Sequence, residues 1–267
     1  MDFATLIGLV VAIAGLLVGF SMDGGAISSL LQPAAAVIVF GGTIGATLLS
    51  SRMKSFGKIV QYFRVAFVNK VSDPYIIIDQ LVEMAVIARK EGILALEEQV
   101  EEFDDPFIQN GVRLIVDGVD PELVKEMLET EISSIEQRHE IGIQLFEAAG
   151  GFAPTMGIIG TVMGLIHVLG DLTDTTKLGP EIATAFTATL YGVASANILW
   201  LPIANKLRVR TEEEILGREM ALEGILSVQA GENPSILRQK LLSFLASSQR
   251  DRKKDNADET DAETAQA

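Results

Sequence analysis

The chain reads AFTATLYG at residues 185–192, inside a run from 182 to 205 that contains no charged side chain. This run places hydroxyl groups and small residues among apolar ones, and Pro202 lies near its end. Polar groups in hydrocarbon are costly, so in a membrane helix they commonly face a partner helix or a hydrated path. A second uncharged run, residues 148–170, has the same mixture of glycine, threonine and proline. The two runs predict neighbouring membrane helices that form one wall of an ion pathway.

Two further uncharged runs cover residues 3–22 and 24–51, and we number the four runs windows 1 to 4 in chain order. Crossing a bilayer core of ~30 Å takes about 20 helical residues, so each window is long enough to span a membrane. Window 1 does not have the basic start of a secretory signal, because the chain begins Met1-Asp2-Phe3. It is therefore predicted to be a retained membrane anchor.

Basic residues mark the predicted cytoplasmic side of the membrane. They follow windows 2 and 4 closely, whereas the loop at 21–33 has no Lys or Arg and the loop at 171–181 has only Lys177. Both termini and the long segment between windows 2 and 3 are therefore expected in the cytoplasm.

The composition excludes several classes of partner and site. The chain has 36 acidic and 21 basic residues, and its net charge of -15 would repel nucleic acid and anionic lipid headgroups. Cysteine is absent, which excludes disulfides and thiolate metal sites. No acid/base pair or metal-ligand set lies at membrane depth, and there is no nucleotide-binding P-loop, so we expect neither an enzyme nor a bound cofactor.

The segment at 52–147 is predicted to be a helical cytoplasmic domain. An Asx residue can cap a helix and proline at the first helical position loses no hydrogen bond, so Asx-Pro pairs predict helix starts. The chain has four: Asp73-Pro74, Asp105-Pro106, Asp120-Pro121 and Asn233-Pro234. We expect helices over 74–90, 93–103, 106–116 and 121–149, the last continuing without a breaker into window 3.

The expected fold class is thus an all-α membrane protein with four transmembrane helices and a helical cytoplasmic domain inserted between the second and third. The expected segments are windows 1 and 2 (1–51), the cytoplasmic domain (52–147), windows 3 and 4 (148–205), C-terminal cytoplasmic helices (206–246) and a disordered acidic tail (247–267). The tail has almost no large apolar residue and cannot bury enough surface to offset the entropy of ordering.

Window 3 carries small residues on one face, and Gly157, Gly160 and Gly164 are spaced for a close helix contact. Tight packing without a transport role explains this spacing equally well. Pro154 and Pro202 each remove a backbone donor and can act as hinges, although kinks are common in membrane helices.

Thr161 and Thr189 are the candidate ion ligands, because hydroxyl oxygens suit a hard cation such as sodium. The alternative is that each hydroxyl bonds back to a carbonyl of its own helix. No Asp or Glu lies in any window, and His167 is interpreted as an interfacial side chain rather than a relay. Either the chain does not move ions, or a partner protein supplies the carboxylate.

Three motifs occur in an order that matches a known family over almost the whole chain. They are ARKEGILALE at 88–97, GFAPTMGIIGTVMG at 151–164, and TLYG at 189–192 followed by Pro202 and by ANKL at 204–207. Together they resemble the MotA/PomA family of flagellar motor stator subunits. The resemblance implies a bacterial inner-membrane homo-oligomer of five copies around two copies of a MotB/PomB-type partner. That partner carries the essential Asp and a peptidoglycan-binding domain.

The resemblance also implies roles for single residues. Four residues correspond to family positions beside the pore and its coupling helices, namely Thr161, Thr189, Pro154 and Pro202. Arg89 and Glu97 match the charged pair that contacts the rotor protein FliG, whereas taken locally they are ordinary solvated charges. The implied function is to couple inward cation flow to torque on FliG.

The resemblance favours sodium over the proton as the transported ion. Sodium-using relatives carry threonine at the position of Thr161, where proton-using relatives tend to carry alanine. Ala188 departs from the sodium type, which often has a second threonine there, and this keeps the proton as the alternative. Two other functions remain open: an ExbB/TolQ-type proton-channel subunit that energises outer-membrane transport, and a structural scaffold in which Thr161→Ala leaves function unchanged.

Overall fold

The computed structural model describes residues 3–67, 73–103, 105–170 and 175–246. Within these ranges every regular element is helical, and four helical stretches are long and apolar enough to cross a membrane. They are Ala4–Met22, Ile27–Ser50, Pro121–Gly170 and Leu178–Gln229. The prediction of an all-α protein with four membrane helices is confirmed. We call the parts of these stretches that coincide with windows 1 to 4 spans 1 to 4; the expected tail at 247–267 lies outside the described residues.

The four Asx-Pro pairs begin helices as predicted. These helices are Pro74–Glu91, Pro106–Val116, Pro121–Gly170 and Pro234–Leu242. In each, the Asx side chain accepts a hydrogen bond from the backbone N–H two residues further on, as Asp73 does from Tyr75 at 3.0 Å. The helix that starts at Pro121 continues through span 3 without interruption, which confirms the expected continuity.

The segment predicted as a helix over 93–103 is a 3-10 helix, Ile93–Glu102. It follows Gly92, whose φ of 94° ends the preceding helix in a backbone conformation that other residues rarely adopt. The 3-10 form is common in short connectors between helices.

Spans 2 and 4 each contain a π turn. Span 2 comprises a 3-10 helix Ile27–Leu30, an α-helix Pro33–Ala36, the π turn Val37–Gly41 and an α-helix Gly42–Ser50. The chain around span 4 comprises the α-helix Thr175–Ser195, the π turn Ala196–Trp200 and the α-helix Leu201–Gln229. A π turn inserts one extra residue into the helical ladder and is frequent at functional sites.

The described residues divide into two compact units, one within Met1–Lys70 and Gln137–Thr211 and the other within Val71–Glu136 and Glu212–Ala267. The first unit contains the four spans, and its main buried cluster centres on Phe146, whose ring contacts Phe63 and Trp200. In the second unit, Leu81 and Met84 pack with Leu128, Ile225 and Leu237 in one core. Residues that follow span 4, such as Ile225 and Leu237, therefore pack with the segment between spans 2 and 3, although they are distant from it in sequence.

Candidate functional site

The structure brings Thr161 and Thr189 together between spans 3 and 4. Their Oγ1 atoms lie 2.5 Å apart. Thr161 Oγ1 also lies 2.9 Å from the carbonyl oxygen of Ala185, on the opposite helix, and 3.1 Å from that of Gly157, on its own helix. Thr189 Oγ1 lies 3.5 Å from the same Gly157 oxygen. Two hydroxyl oxygens and two carbonyl oxygens therefore form one cluster.

This cluster has more acceptor sites than protons. Each hydroxyl carries one proton and two lone pairs, so the two threonines together can donate only two hydrogen bonds. Thr161 Oγ1 lies within hydrogen-bond distance of a carbonyl of its own helix and also of two oxygens of span 4, so the sequence alternatives of a local bond and a contact between helices are both present. The cluster offers four uncharged oxygens, whereas hard cations such as calcium take six to eight. A cation bound here would need further oxygens from water or from another chain.

Small residues allow the two helices to approach closely enough for this contact. A Cβ atom built on Gly157 would lie 2.9 Å from the carbonyl oxygen of Ala188, and one built on Gly164 would lie 2.7 Å from Ala185 Cβ. A Cβ atom on Gly160 would lie 2.7 Å from Ala188 Cβ. All three glycines thus face span 4, and side chains at their positions would push the helices apart.

Span 4 contributes a glycine of its own to this contact. A Cβ atom on Gly192 would lie 2.5 Å from the carbonyl oxygen of Ala153 and 3.0 Å from Gly157 Cα. The atoms nearest to this Cβ position belong to the backbone of span 3, so no side chain can rotate away to make room. Gly192 belongs to the TLYG motif, but the sequence did not identify it as a packing residue. The periodicity of one helix does not reveal which residues of another helix lie against it.

The two prolines lie on the cytoplasmic side of the threonines in the predicted topology. Pro154 is half-buried within the continuous helix Pro121–Gly170. Pro202 is exposed and lies two residues after Trp200, the last residue of the π turn Ala196–Trp200. A proline cannot donate to the carbonyl four residues earlier, and a π turn in that position also disturbs the regular ladder. The helix of span 4 is thus irregular over about two turns before it continues to Gln229.

An ion pair that the sequence did not reveal joins the helices that carry spans 3 and 4. Arg208 Nη2 lies 2.6 Å from Glu147 Oε1, and both side chains are 40% exposed. Charges at this exposure are well solvated, so the pair is expected to contribute only ~0.5 kcal/mol to stability.

Reversing one of these charges is predicted to cost more than removing it. Arg208→Glu would place two carboxylates side by side, and we expect a lower melting temperature than for Arg208→Gln. The double substitution Glu147→Arg with Arg208→Glu restores opposite charges and should return the melting temperature to near that of the unchanged chain. Thermal unfolding of the purified protein in detergent measures both effects, and a double variant no better than Arg208→Glu would contradict the pairing.

Arg89 and Glu97 lie in the second unit and are both exposed. Arg89 is in the last turn of the helix Pro74–Glu91, and Glu97 is in the 3-10 helix that follows Gly92. Glu97 lines a shallow groove with Val100, Arg113, Val116 and Asp117. Arg113 and Asp117 were not identified from the sequence because they look like ordinary surface charges, and only packing of the helix Pro106–Val116 beside Ile93–Glu102 places them next to Glu97.

The described residues contain no group of three or more His, Asp or Glu side chains placed to hold a metal ion. His167 is exposed on span 3.

Comparisons with known proteins match nearly the whole chain. Residues 99–220 match the model of the MotA/TolQ/ExbB proton channel family, and residues 6–92 match a model of the motility protein A N-terminal region. Motility protein A of Bacillus subtilis (strain 168) is 40% identical over 94% of this chain and 93% of that protein. Chemotaxis protein PomA of Vibrio alginolyticus is 38% identical over 92% and 96%.

The fold also matches a solved assembly. The flagellar MotAB stator complex from Bacillus subtilis contains a chain with a TM-score of 0.86 and 38% identity, over 92% of this chain and 98% of that one. The match to the motility protein A N-terminal model favours this class over an ExbB/TolQ-type subunit.

Proposed function

This chain belongs to the MotA/TolQ/ExbB proton channel family as a flagellar stator subunit of the motility protein A type, and we propose that it couples inward sodium flow to torque on the rotor protein FliG. It is a channel-forming motor component and not an enzyme. The observation that carries the proposed ion role is the cluster of four oxygens around Thr161 and Thr189.

The partner in this proposal is a MotB/PomB-type subunit that supplies the missing carboxylate. Windows 1 to 4 contain no Asp or Glu, so a cation crossing beside them has no countercharge from this chain. A solved relative is a MotAB complex, which supports a partner of this kind. We propose five copies of this chain around two partner helices, with both termini on the cytoplasmic side of the bacterial inner membrane.

The proposed cycle uses the partner's Asp as the site of ion binding and release. An ion that enters from outside neutralises the carboxylate, and its release to the cytoplasm restores the charge. The membrane potential supplies ~2.3 kcal/mol per charge per 100 mV, which is enough to bias one step of the ring against the partner. Pro154 and Pro202 are proposed to let the helices of spans 3 and 4 bend with each step.

Sodium is proposed as the ion because the oxygen cluster suits a hard cation that sheds part of its water. The two hydroxyls and two carbonyls replace water oxygens while the partner's Asp supplies the charge. A transported proton would need only the carboxylate and a water chain, with no demand for the hydroxyl pair.

Removing one hydroxyl is predicted to raise the sodium requirement of the motor. We expect Thr161→Ala or Thr189→Ala to increase the sodium concentration for half-maximal swimming speed by about tenfold, because a lost ligand or hydrogen bond costs ~1–1.5 kcal/mol. The measurement is swimming speed against sodium concentration at a fixed total ion-motive force. The cells carry this chain and its partner as their sole stator.

Thr187→Ala is the matched control, because Thr187 is a buried threonine of the same helix whose hydroxyl donates to Ala183 of that helix at 3.0 Å. It should leave the sodium dependence unchanged. Motility of the unchanged chain that does not depend on sodium would overturn the choice of ion. If Thr161→Ala and Thr189→Ala had the same half-maximal sodium concentration as Thr187→Ala, the proposed role of the hydroxyl pair would be wrong.

A further inference from the structure

Span 2 begins with a break in its helix that one distant side chain closes. The 3-10 helix Ile27–Leu30 ends, and the α-helix starts at Pro33, which has no N–H. Gln32, the residue before Pro33, makes no side-chain cap. Backbone groups at such a break need partners, because an unpaired amide or carbonyl in a membrane is costly.

Tyr191 of span 4 satisfies two of these groups with one hydroxyl. Its OH donates a hydrogen bond to the Leu30 carbonyl oxygen and accepts one from the Gln32 N–H at 3.2 Å. A phenol hydroxyl has one proton and two lone pairs, so it can hold both bonds at the same time. The Tyr191 ring lies beside that of Phe40, with centroids 6.2 Å apart.

The position of Tyr191 on its helix connects this contact to the threonine cluster. Residues two apart on an α-helix differ by about 200°, so they point to nearly opposite sides. Tyr191 meets span 2 while Thr189 meets Thr161 of span 3. Ala188, adjacent to Thr189, is buried with Ala35 and Val39 of span 2. Because Tyr191 fixes one side of the helix to span 2, the rotation of span 4 about its own axis is fixed. This rotation determines where the Thr189 side chain on the opposite side points.

We infer that Tyr191 is a positioning residue, which fixes the start of span 2 to span 4 and so sets the direction in which the Thr189 hydroxyl points. The inference rests on the proposed function only in its second measurement, the sodium dependence of motility. The attachment of span 2 to span 4 is testable without it.

The test replaces Tyr191 by phenylalanine, which keeps the ring and removes both hydrogen bonds. The chain has no cysteine, so Ala35→Cys introduces a single thiol at a site that is 3% exposed and packs beside Tyr191. The alkylation rate of this thiol is measured in the assembled membrane complex with a cysteine-free partner. We expect Tyr191→Phe to accelerate alkylation at least fivefold, because the loss of a single buried hydrogen bond already corresponds to about that factor, and to raise the half-maximal sodium concentration severalfold.

Phe40→Leu is the matched control, since it removes the neighbouring ring but leaves the hydroxyl of Tyr191. It should change neither the alkylation rate nor the sodium dependence. Unchanged alkylation in Tyr191→Phe would overturn the inference while leaving the proposed function intact. Sodium-independent motility of the unchanged chain would instead overturn the proposed coupling to sodium, and the alkylation rate would still decide the role of Tyr191. Failure of Tyr191→Phe to reach the membrane at the level of Phe40→Leu would assign Tyr191 to folding and overturn its positioning role.

Discussion

Replacing Gly192 by alanine is expected to abolish motility and to prevent the complex from assembling normally. The added Cβ atom would lie 2.5 Å from the Ala153 carbonyl oxygen and 3.0 Å from Gly157 Cα. Both neighbours are backbone atoms of span 3, so relief requires the two helices to move apart. Overpacking of a close contact costs typically 1–3 kcal/mol, and a shift of this kind would also separate the hydroxyls of Thr161 and Thr189. The measurements are membrane level, the melting temperature of the purified complex, and swimming.

Gly179→Ala is the control for this substitution, because Gly179 belongs to the same helix and a Cβ atom there would meet nothing within 4 Å. Alanine is a better helix former than glycine, so Gly179→Ala should leave stability unchanged or slightly improved. A melting temperature for Gly192→Ala equal to that of Gly179→Ala would contradict the close approach of spans 3 and 4.

The sequence predicted those parts of the fold that depend on nearby residues. Each Asx-Pro pair places a capping side chain next to the amides that it satisfies, so Pro74, Pro106, Pro121 and Pro234 were correctly identified as helix starts. The four spans follow from composition alone, because a charge within a window would be expensive in hydrocarbon. The π turns in spans 2 and 4 had no such local signal.

The candidate site depends on contacts between helices, which a single sequence defines only in part. The glycine spacing in span 3 predicted the face that packs closely, but Gly192 and Ala153 become its partners only through the docking of span 4. Thr161 and Thr189 are 28 residues apart, and their direct contact depends on the rotation of both helices. Tyr191 and Leu30 are 161 residues apart, and neither has a sequence neighbour that indicates the other.

The second unit poses the same difficulty for charged residues. Arg89 and Glu97 were selected only because a motif resembles a family, since exposed charges are the default on a helix surface. Arg113 has no comparable motif and became a candidate only when the structure placed it beside Glu97. The groove therefore makes Arg113 a further candidate for the proposed rotor contact.

Charge reversal at the proposed rotor contact is expected to remove most of the torque while assembly stays intact. Arg89 and Glu97 are both exposed, and surface substitutions of this kind usually change folding stability by no more than ±0.5 kcal/mol. Placing like charges against each other across an interface is far more costly, so Arg89→Glu or Glu97→Lys should weaken binding to the rotor by tenfold or more. Arg113→Glu, in the same groove as Glu97, should have an effect of the same sign. The measurement is torque per stator unit from the rotation of a bead on a tethered filament.

The control reverses another exposed charge, one that lies outside the groove. Lys125 is 57% exposed and pairs only loosely with Glu129 at 3.7 Å, so Lys125→Glu should leave torque unchanged. Raising the ionic strength around permeabilised motors should reduce the torque of the unchanged chain, because salt screens exposed charges beyond about 8–10 Å. The difference in torque between the unchanged chain and Glu97→Lys should also become smaller. If Arg89→Glu lowered the membrane level of the complex as much as it lowered torque, the residue would serve folding, and the proposed contact with the rotor would be wrong.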